Sequence, residues 1–180
     1  DAATFARRVA DRLLDGALMD ADGNRAWIGI DYMPRARSYL VCPALYQAYD
    51  GHLGFAVYLA AVARATGDAR YAGEAQRVAR QVHDERDHLH RALRTDARVT
   101  LGGTCGVGSA FWALATLSAL LDDPSHAAFG AALCESLSAP AIAADDVLDL
   151  AGGAAGALLG ALLVHAATGA EGARTVALRC

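Results

Sequence analysis

The chain has 180 residues, 54% hydrophobic and 20% charged, and a formal net charge of −4. This is ample for one buried core of ordinary domain size. The acidic balance, with no block of five or more like charges, excludes the basic face of an electrostatic nucleic-acid binder. Alanine supplies 43 residues and leucine 23, whereas β-branched and aromatic residues are sparse, so helices are expected.

The chain begins Asp1-Ala2-Ala3-Thr4, and Phe5, Val9 and Leu13 follow at the spacing of an amphipathic helix. Charges run throughout this segment, so it is no signal peptide, and a cytoplasmic setting is the default expectation. Residues 1–25 read as a leading helix and linker. Trp27 to Tyr32 and Ser38 to Cys42, separated by Met33-Pro34-Arg35-Ala36-Arg37, predict a short β-hairpin near residues 27–42, with Pro34 limiting the pairing.

An internal repeat then dominates. Gly51-His52-Leu53-Gly54 opens an apolar run ending at Thr66-Gly67-Asp68. Gly106-Val107-Gly108-Ser109 opens one ending at Leu121-Asp122-Asp123, and Gly153-Ala154-Ala155-Gly156 opens one ending at Thr168-Gly169-Ala170. The three align without gaps and predict helices of one length. A glycine or small residue at the first and fourth positions either lets a helix start pack closely or leaves its N–H groups accessible. Gly67 and Gly169 suit the left-handed residue that closes a helix.

A more polar helix is expected after each stop. Asp68 caps one carrying Tyr71, Ala75, Val78, Ala79 and Val82, and Pro124-Ser125 opens one carrying Phe129, Leu133 and Leu137. The third begins near Glu171. Apolar inner helices covered by amphipathic outer ones make an all-α, α/α toroid pattern. Such repeats bury their apolar faces only against neighbours, so three units imply an incomplete ring.

The cluster from Asp84 to His90 reads as the solvated end of an outer helix rather than a metal site. The apolar stretch from Ala151 to Ala167 is short for a membrane span and reads as a core helix. Cys42, Cys105, Cys134 and Cys180 form no C-x-x-C pair and read as buried free thiols.

Tyr49-Asp50-Gly51-His52-Leu53-Gly54, with Ala65-Thr66-Gly67-Asp68, resembles the Y-D-G-x-x-G-I-A segment of lanthionine synthetase C-like cyclases, nearest to the cyclase region of class II lanthipeptide synthetases. Gly106-Val107-Gly108-Ser109 with Trp112-Ala113-Leu114 is similar to that family's second glycine unit. Asp149-Leu150-Ala151-Gly152-Gly153-Ala154-Ala155-Gly156-Ala157 resembles the third, D-x-I-x-G-A-A-G-A. His52 stands where a small or apolar residue is commoner. The resemblance covers about residues 25 to 180 and implies that 26–180 is the N-terminal half of a double ring of helices.

The activity it implies is addition of peptide cysteine thiols to dehydroalanine or dehydrobutyrine, forming (methyl)lanthionine thioether rings, with this chain alone inactive. The implied partners are a dehydrated precursor peptide and a dehydratase domain ahead of Asp1, with neither nucleic acid nor a membrane span. The implied zinc would be held by ligands beyond Cys180. No cofactor is expected for this chain alone, and no histidine here directly follows a cysteine, so none is assigned as a ligand.

Asp149 matches the family's active-site aspartate, whereas spacing alone reads it as a loop or capping residue, as Asp145 and Asp146 are read. Asp50 reads as structural, its carboxylate accepting N–H bonds at a helix start. Two rival readings remain at this level. One is an α/α-barrel glycoside hydrolase pairing Asp149 with Asp145 or Asp146. The other is a non-catalytic, peptide-binding helical scaffold.

Overall fold

The computed structural model of the chain describes residues 1–33, 37–95 and 100–180, so the predicted turn residues Pro34, Arg35 and Ala36 lie outside the described residues. Helix α1 (Ala2–Asp15) starts under Asp1, whose Oδ1 accepts from Thr4 N at 2.8 Å. Its buried stripe is not the predicted one. Ala10 and Leu14 are buried, whereas Phe5 is 61% exposed. The reason is close approach: alanines let the helix lie near its neighbour, and Tyr58 donates its hydroxyl to Ala6 O across that seam at 2.9 Å.

Strands β1 (Leu18–Met19) and β2 (Arg25–Ala26) form a two-residue antiparallel ladder too short to register as a pattern. The predicted hairpin follows as β3 (Ile28–Met33) and β4 (Ser38–Pro43), antiparallel with Ile28 opposite Pro43 and Ile30 opposite Val41. Trp27 fastens this region to the helices. Its Nε1–H donates to Leu13 O at 2.8 Å, and its ring packs on Phe55 at 4.7 Å.

The three apolar runs are α2 (His52–Thr66), α5 (Val107–Leu121) and α8 (Ala154–Thr168), each 15 residues long. Gly67 (φ 70°) and Gly169 (φ 71°) close their helices in the left-handed region as predicted, and Asp122 (φ 53°) does the same for α5 without being glycine. α2 packs on α5 and α5 on α8. The α5–α8 crossing sits on glycine: a Cβ added at Gly160 would meet Gly108 O and, at 2.8 Å, Phe111 Cβ. Leu53, Leu59, Phe111, Leu114 and Val164 fill the core.

The outer layer is α3 (Ala69–Asp84), α6 (Pro124–Ser136) and α9 (Glu171–Arg179). Asp68 and Asp123 cap the first two by accepting from Arg70 N and Ser125 N. The fold is therefore all-α apart from the small hairpins, and three inner–outer pairs form an arc of an α/α toroid.

Two features depart from the predicted pattern. The outer helix stops at Asp84, and Arg86–Thr95 forms a separate helix, α4; Asp84 to His88 are exposed, in keeping with the solvated reading of this cluster, but Leu89 is buried. α4 lies over α6, burying Leu89 and Leu93, with Ser138 N donating to Leu93 O at 3.2 Å. Consequently α6 is buried on nearly all sides, His126 and Ser136 included, and is not amphipathic. A short helix α7 (Ala139–Ala143) leads towards the third inner helix. No helix among the described residues is long and apolar enough to cross a membrane.

Candidate functional site

The starts of α2, α5 and α8 lie together, with their lead-in loops joined backbone to backbone. Tyr49 N donates to Thr104 O at 3.3 Å. Gly103 N donates to Leu150 O at 2.9 Å, and Thr104 N to Ala151 O at 3.2 Å. Ser109 ties the first two loops: its buried hydroxyl donates to Gly106 O at 2.7 Å and accepts from Ala48 N at 3.2 Å. The rim is thus a continuous band of backbone hydrogen bonds, which leaves few buried polar groups unmatched.

This band explains the repeated glycines. At Gly51 a Cβ would strike Leu45 O and Gln47 O, at Gly106 Thr100 O, and at Gly153 the Leu148 and Asp149 nitrogens. All three glycines are extended, with φ from −115° to −129°, so their requirement is space and not a positive φ. Close packing, rather than accessible N–H groups, is what these positions serve. Gly156 extends the logic between repeats, because its Cβ would meet Gly103 N and Leu150 O.

The helix starts are covered in two ways. His52, Leu53 and Gly54 donate their N–H groups to Leu45, Tyr46 and Gln47 carbonyls at 2.7, 3.4 and 3.4 Å. Val107, Gly108 and Ser109 donate to Thr100, Leu101 and Gly102 carbonyls at 2.9, 3.2 and 3.1 Å. With its neighbours thus matched, Asp50 is exposed and makes no capping bond at α2, contrary to its sequence reading. At α8 a side chain takes over. Asp145 Oδ2 accepts from Leu148 N at 3.0 Å and from Ala154 N at 2.9 Å.

Asp145 therefore folds residues 145–154 into a loop whose Leu148 takes a left-handed φ of 59°. Asp149 stands exposed on this loop. Its Oδ1 accepts from Gly152 N at 2.6 Å and its carbonyl from Gly153 N at 3.1 Å, while Oδ2 has no protein partner among the described residues. One oxygen is anchored and the other is available to a bound molecule. Asp145, engaged with two backbone donors, is poorly placed as the second carboxylate of a glycosidase pair.

A zinc centre needs three or four convergent thiolate, imidazole or carboxylate ligands. The four cysteines are free, but of these only Cys134 is buried as expected; Cys42 and Cys180 are half-buried and Cys105, on a rim loop, is exposed. Desolvation pushes the Cys134 thiol pKa upward, which disfavours the thiolate. Among the described residues no three candidate side chains converge, so these residues do not fit a zinc site by themselves.

Sequence reasoning missed a polar seam between α3 and α6. Asp123 Oδ2 accepts from Gln76 Nε2 at 2.8 Å, which turns Gln76 Oε1 towards His126 Nε2 at 3.0 Å. That leaves His126 Nδ1 to accept from His83 Nε2–H at 3.1 Å. Burial, and then the charge of His126, pulls the His83 pKa down to about 4, and burial also lowers that of His126. The available signal was His126 in step with Phe129 and Leu133 on one apolar stripe.

These features define an arc of an α/α toroid whose rim is made by the inner-helix starts. A family model described as lanthionine synthetase C-like protein matches residues 43–180, and the chain belongs to that family. A comparison with curated proteins gives no match.

Proposed function

We propose that this chain is part of a lanthipeptide cyclase and that Asp149 is its proton-handling residue. The observation that carries this reading is the Asp149 carboxylate, held through Oδ1 on Gly152 N with Oδ2 free on an exposed rim loop. In ring closure a peptide thiol gives up its proton and its sulfur bonds to the β-carbon of a dehydroalanine or dehydrobutyrine. The resulting enolate then takes a proton at the α-carbon. A carboxylate with one oxygen fixed and one free can accept the thiol proton and return it to that carbon, which balances the reaction.

The substrate would be a dehydrated precursor peptide, supplied by a dehydratase domain, and the setting cytoplasmic. The zinc expected of the family would be held by residues following Cys180, and no step above is routed through it. The test is Asp149→Asn in the complete domain, with a dehydrated peptide as substrate and unreacted thiols counted by alkylation and mass spectrometry. Ring closure should slow by roughly 10²-fold or more, while the unfolding midpoint and metal content stay unchanged. Closure at the native rate would overturn the assignment.

A further inference from the structure

Two cavities open side by side away from Asp149, of about 430 and about 500 Å³, sharing Arg25, Ala26, Gln81 and Glu85. The first is floored by Val82, Leu89, Leu93, Val107, Ala110 and Leu133, from α3, α4, α5 and α6. It therefore lies between the first and second repeats, with both flanks in place. The second runs out beneath β1, where Leu18 and Met19 are 59% and 65% exposed, and is edged by Asp20 and Asp84. Together they form one cleft with an apolar inner end and an acidic outer end.

The hydrogen bonds already made decide what this cleft can recognise. Arg25 engages all three guanidinium nitrogens: Nε and Nη2 donate to Glu74 at 2.9 and 3.3 Å, and Nη1 to Leu14 O at 3.1 Å. Gln81 is engaged at both ends by the Arg25 backbone, at 3.1 and 2.8 Å. His52 faces two carbonyls, with Nδ1 3.0 Å from Leu45 O and Nε2 3.2 Å from Arg25 O, and the neutral ring donates its one N–H to either of them. Asp20 is occupied by Asp22 N and by the Asn24 backbone and side-chain amides.

The lining groups without a side-chain partner among the described residues are the carboxylates of Asp84 and Glu85, the His88 ring and the Tyr46 hydroxyl. Burial pushes the Tyr46 phenol pKa up, so it stays a neutral donor. Arg80 and Arg86 line neither cavity. A void of about 150 Å³ accepts a benzene ring, so the inner cavity has room for a large apolar side chain and part of its neighbour. An anionic ligand would meet unpaired carboxylates, whereas a cation would complete them.

We propose that this cleft is a docking site for an extended peptide segment that combines apolar side chains with a basic residue. The apolar side chains seat on Leu89, Leu93 and Leu133, and the cation meets Glu85, where the two cavities join, and Asp84 on the outer side of that junction. The proposal goes beyond ring closure and stands apart from it: binding is read without any reaction, so the Asp149 assignment can fail while this one holds, and the reverse.

The test measures anisotropy of a fluorescein-labelled synthetic peptide alternating leucine and arginine. One control replaces arginine with glutamate, and another replaces leucine with serine. The leucine–arginine peptide should bind about tenfold or more tightly than either control. Glu85→Lys should weaken it about tenfold by reversing the charge, and Ala92→Phe, which narrows the inner cavity, should do the same. Thermal unfolding of both variants checks that they fold, and if either does not, Glu85→Gln is read beside the other. Equal binding of the glutamate control, unchanged binding by the folded variants, or salt-sensitive binding of the serine control as tight as the parent would each overturn the proposal. So would uptake of a small apolar dye with no peptide binding.

Discussion

The first two inner helices and the third reach the same rim by different means. α2 and α5 each start beneath three successive backbone carbonyls of their own lead-in loop, at the same offset along the chain. α8 starts beneath one carboxylate, Asp145, whose Oδ2 takes two N–H groups and leaves the loop above it exposed. A carbonyl clamp covers its helix start and leaves no side chain in command. A carboxylate clamp folds a loop outward and presents whatever residue lies at its turn, here Asp149. The repeat that carries the candidate chemistry is therefore the one whose start depends on side-chain chemistry.

The largest test of this comparison strikes what the three starts share. Gly156→Ala places a methyl against Gly103 N and Leu150 O, both backbone atoms of neighbouring loops that cannot rotate away. Overpacking of this kind should cost about 3 kcal/mol, measured by chemical denaturation. An unchanged midpoint would mean that the loops are not locked together and that the rim is not one unit.

Next comes the difference itself. Asp145→Ala removes the acceptor for Leu148 N and Ala154 N together, and a lost helix-start acceptor costs up to about 2 kcal/mol. Asp145→Asn keeps an oxygen there and should recover most of that loss. Amide exchange should quicken at Leu148 and Ala154 in the alanine variant, while His52 and Val107, held by carbonyls, keep their native protection. Equal quickening at all three starts would erase the distinction.

The sequence makes the inner framework legible because glycine spacing reports a steric demand directly. Gly51, Gly106 and Gly153 mark where a loop crosses a helix start, and Gly67 and Gly169 mark where a left-handed residue is required. Asp149 was located by its place in the third motif, but its hydrogen bond to Gly152 N was not. The roles of Asp50 and Asp145 could not be separated by spacing, because what frees Asp50 is a carbonyl clamp made by Leu45, Tyr46 and Gln47.

The break after Asp84 was illegible for a related reason. Val82, Leu89 and Leu93 keep helical phase across it, with neither glycine nor proline to mark a stop. The chain turns there because α4 covers α6, and that contact is tertiary. The α1 face is illegible because side-chain size does not mark its core: Ala10 is buried by close approach, whereas Phe5 stays exposed.

The smallest expected effect concerns the outer layer, where the comparison extends to the joint between the first two repeats. There His83 and His126 are neutral and share one proton between facing nitrogens, so protonating both would set two N–H groups against each other. The unfolded histidines titrate near 6.5, whereas His83 in the folded chain titrates at about 4 and His126 is also lowered. Below the unfolded value the unfolded state binds protons that the folded state refuses, so stability should fall as pH drops from about 6.5, and the His83 share of that loss levels off once pH passes about 4. Asp84 and Asp123 oppose the shift in His83, and Arg86 and Arg80 reinforce the shifts in His83 and His126 respectively. A decline of a few degrees in Tm is expected, with faster exchange at the α3–α6 seam before the rim changes. His126→Gln, which retains a donor for Gln76, should flatten the decline. A Tm profile as steep in that variant as in the native chain would show that the imidazole pair does not set the acid sensitivity of this joint.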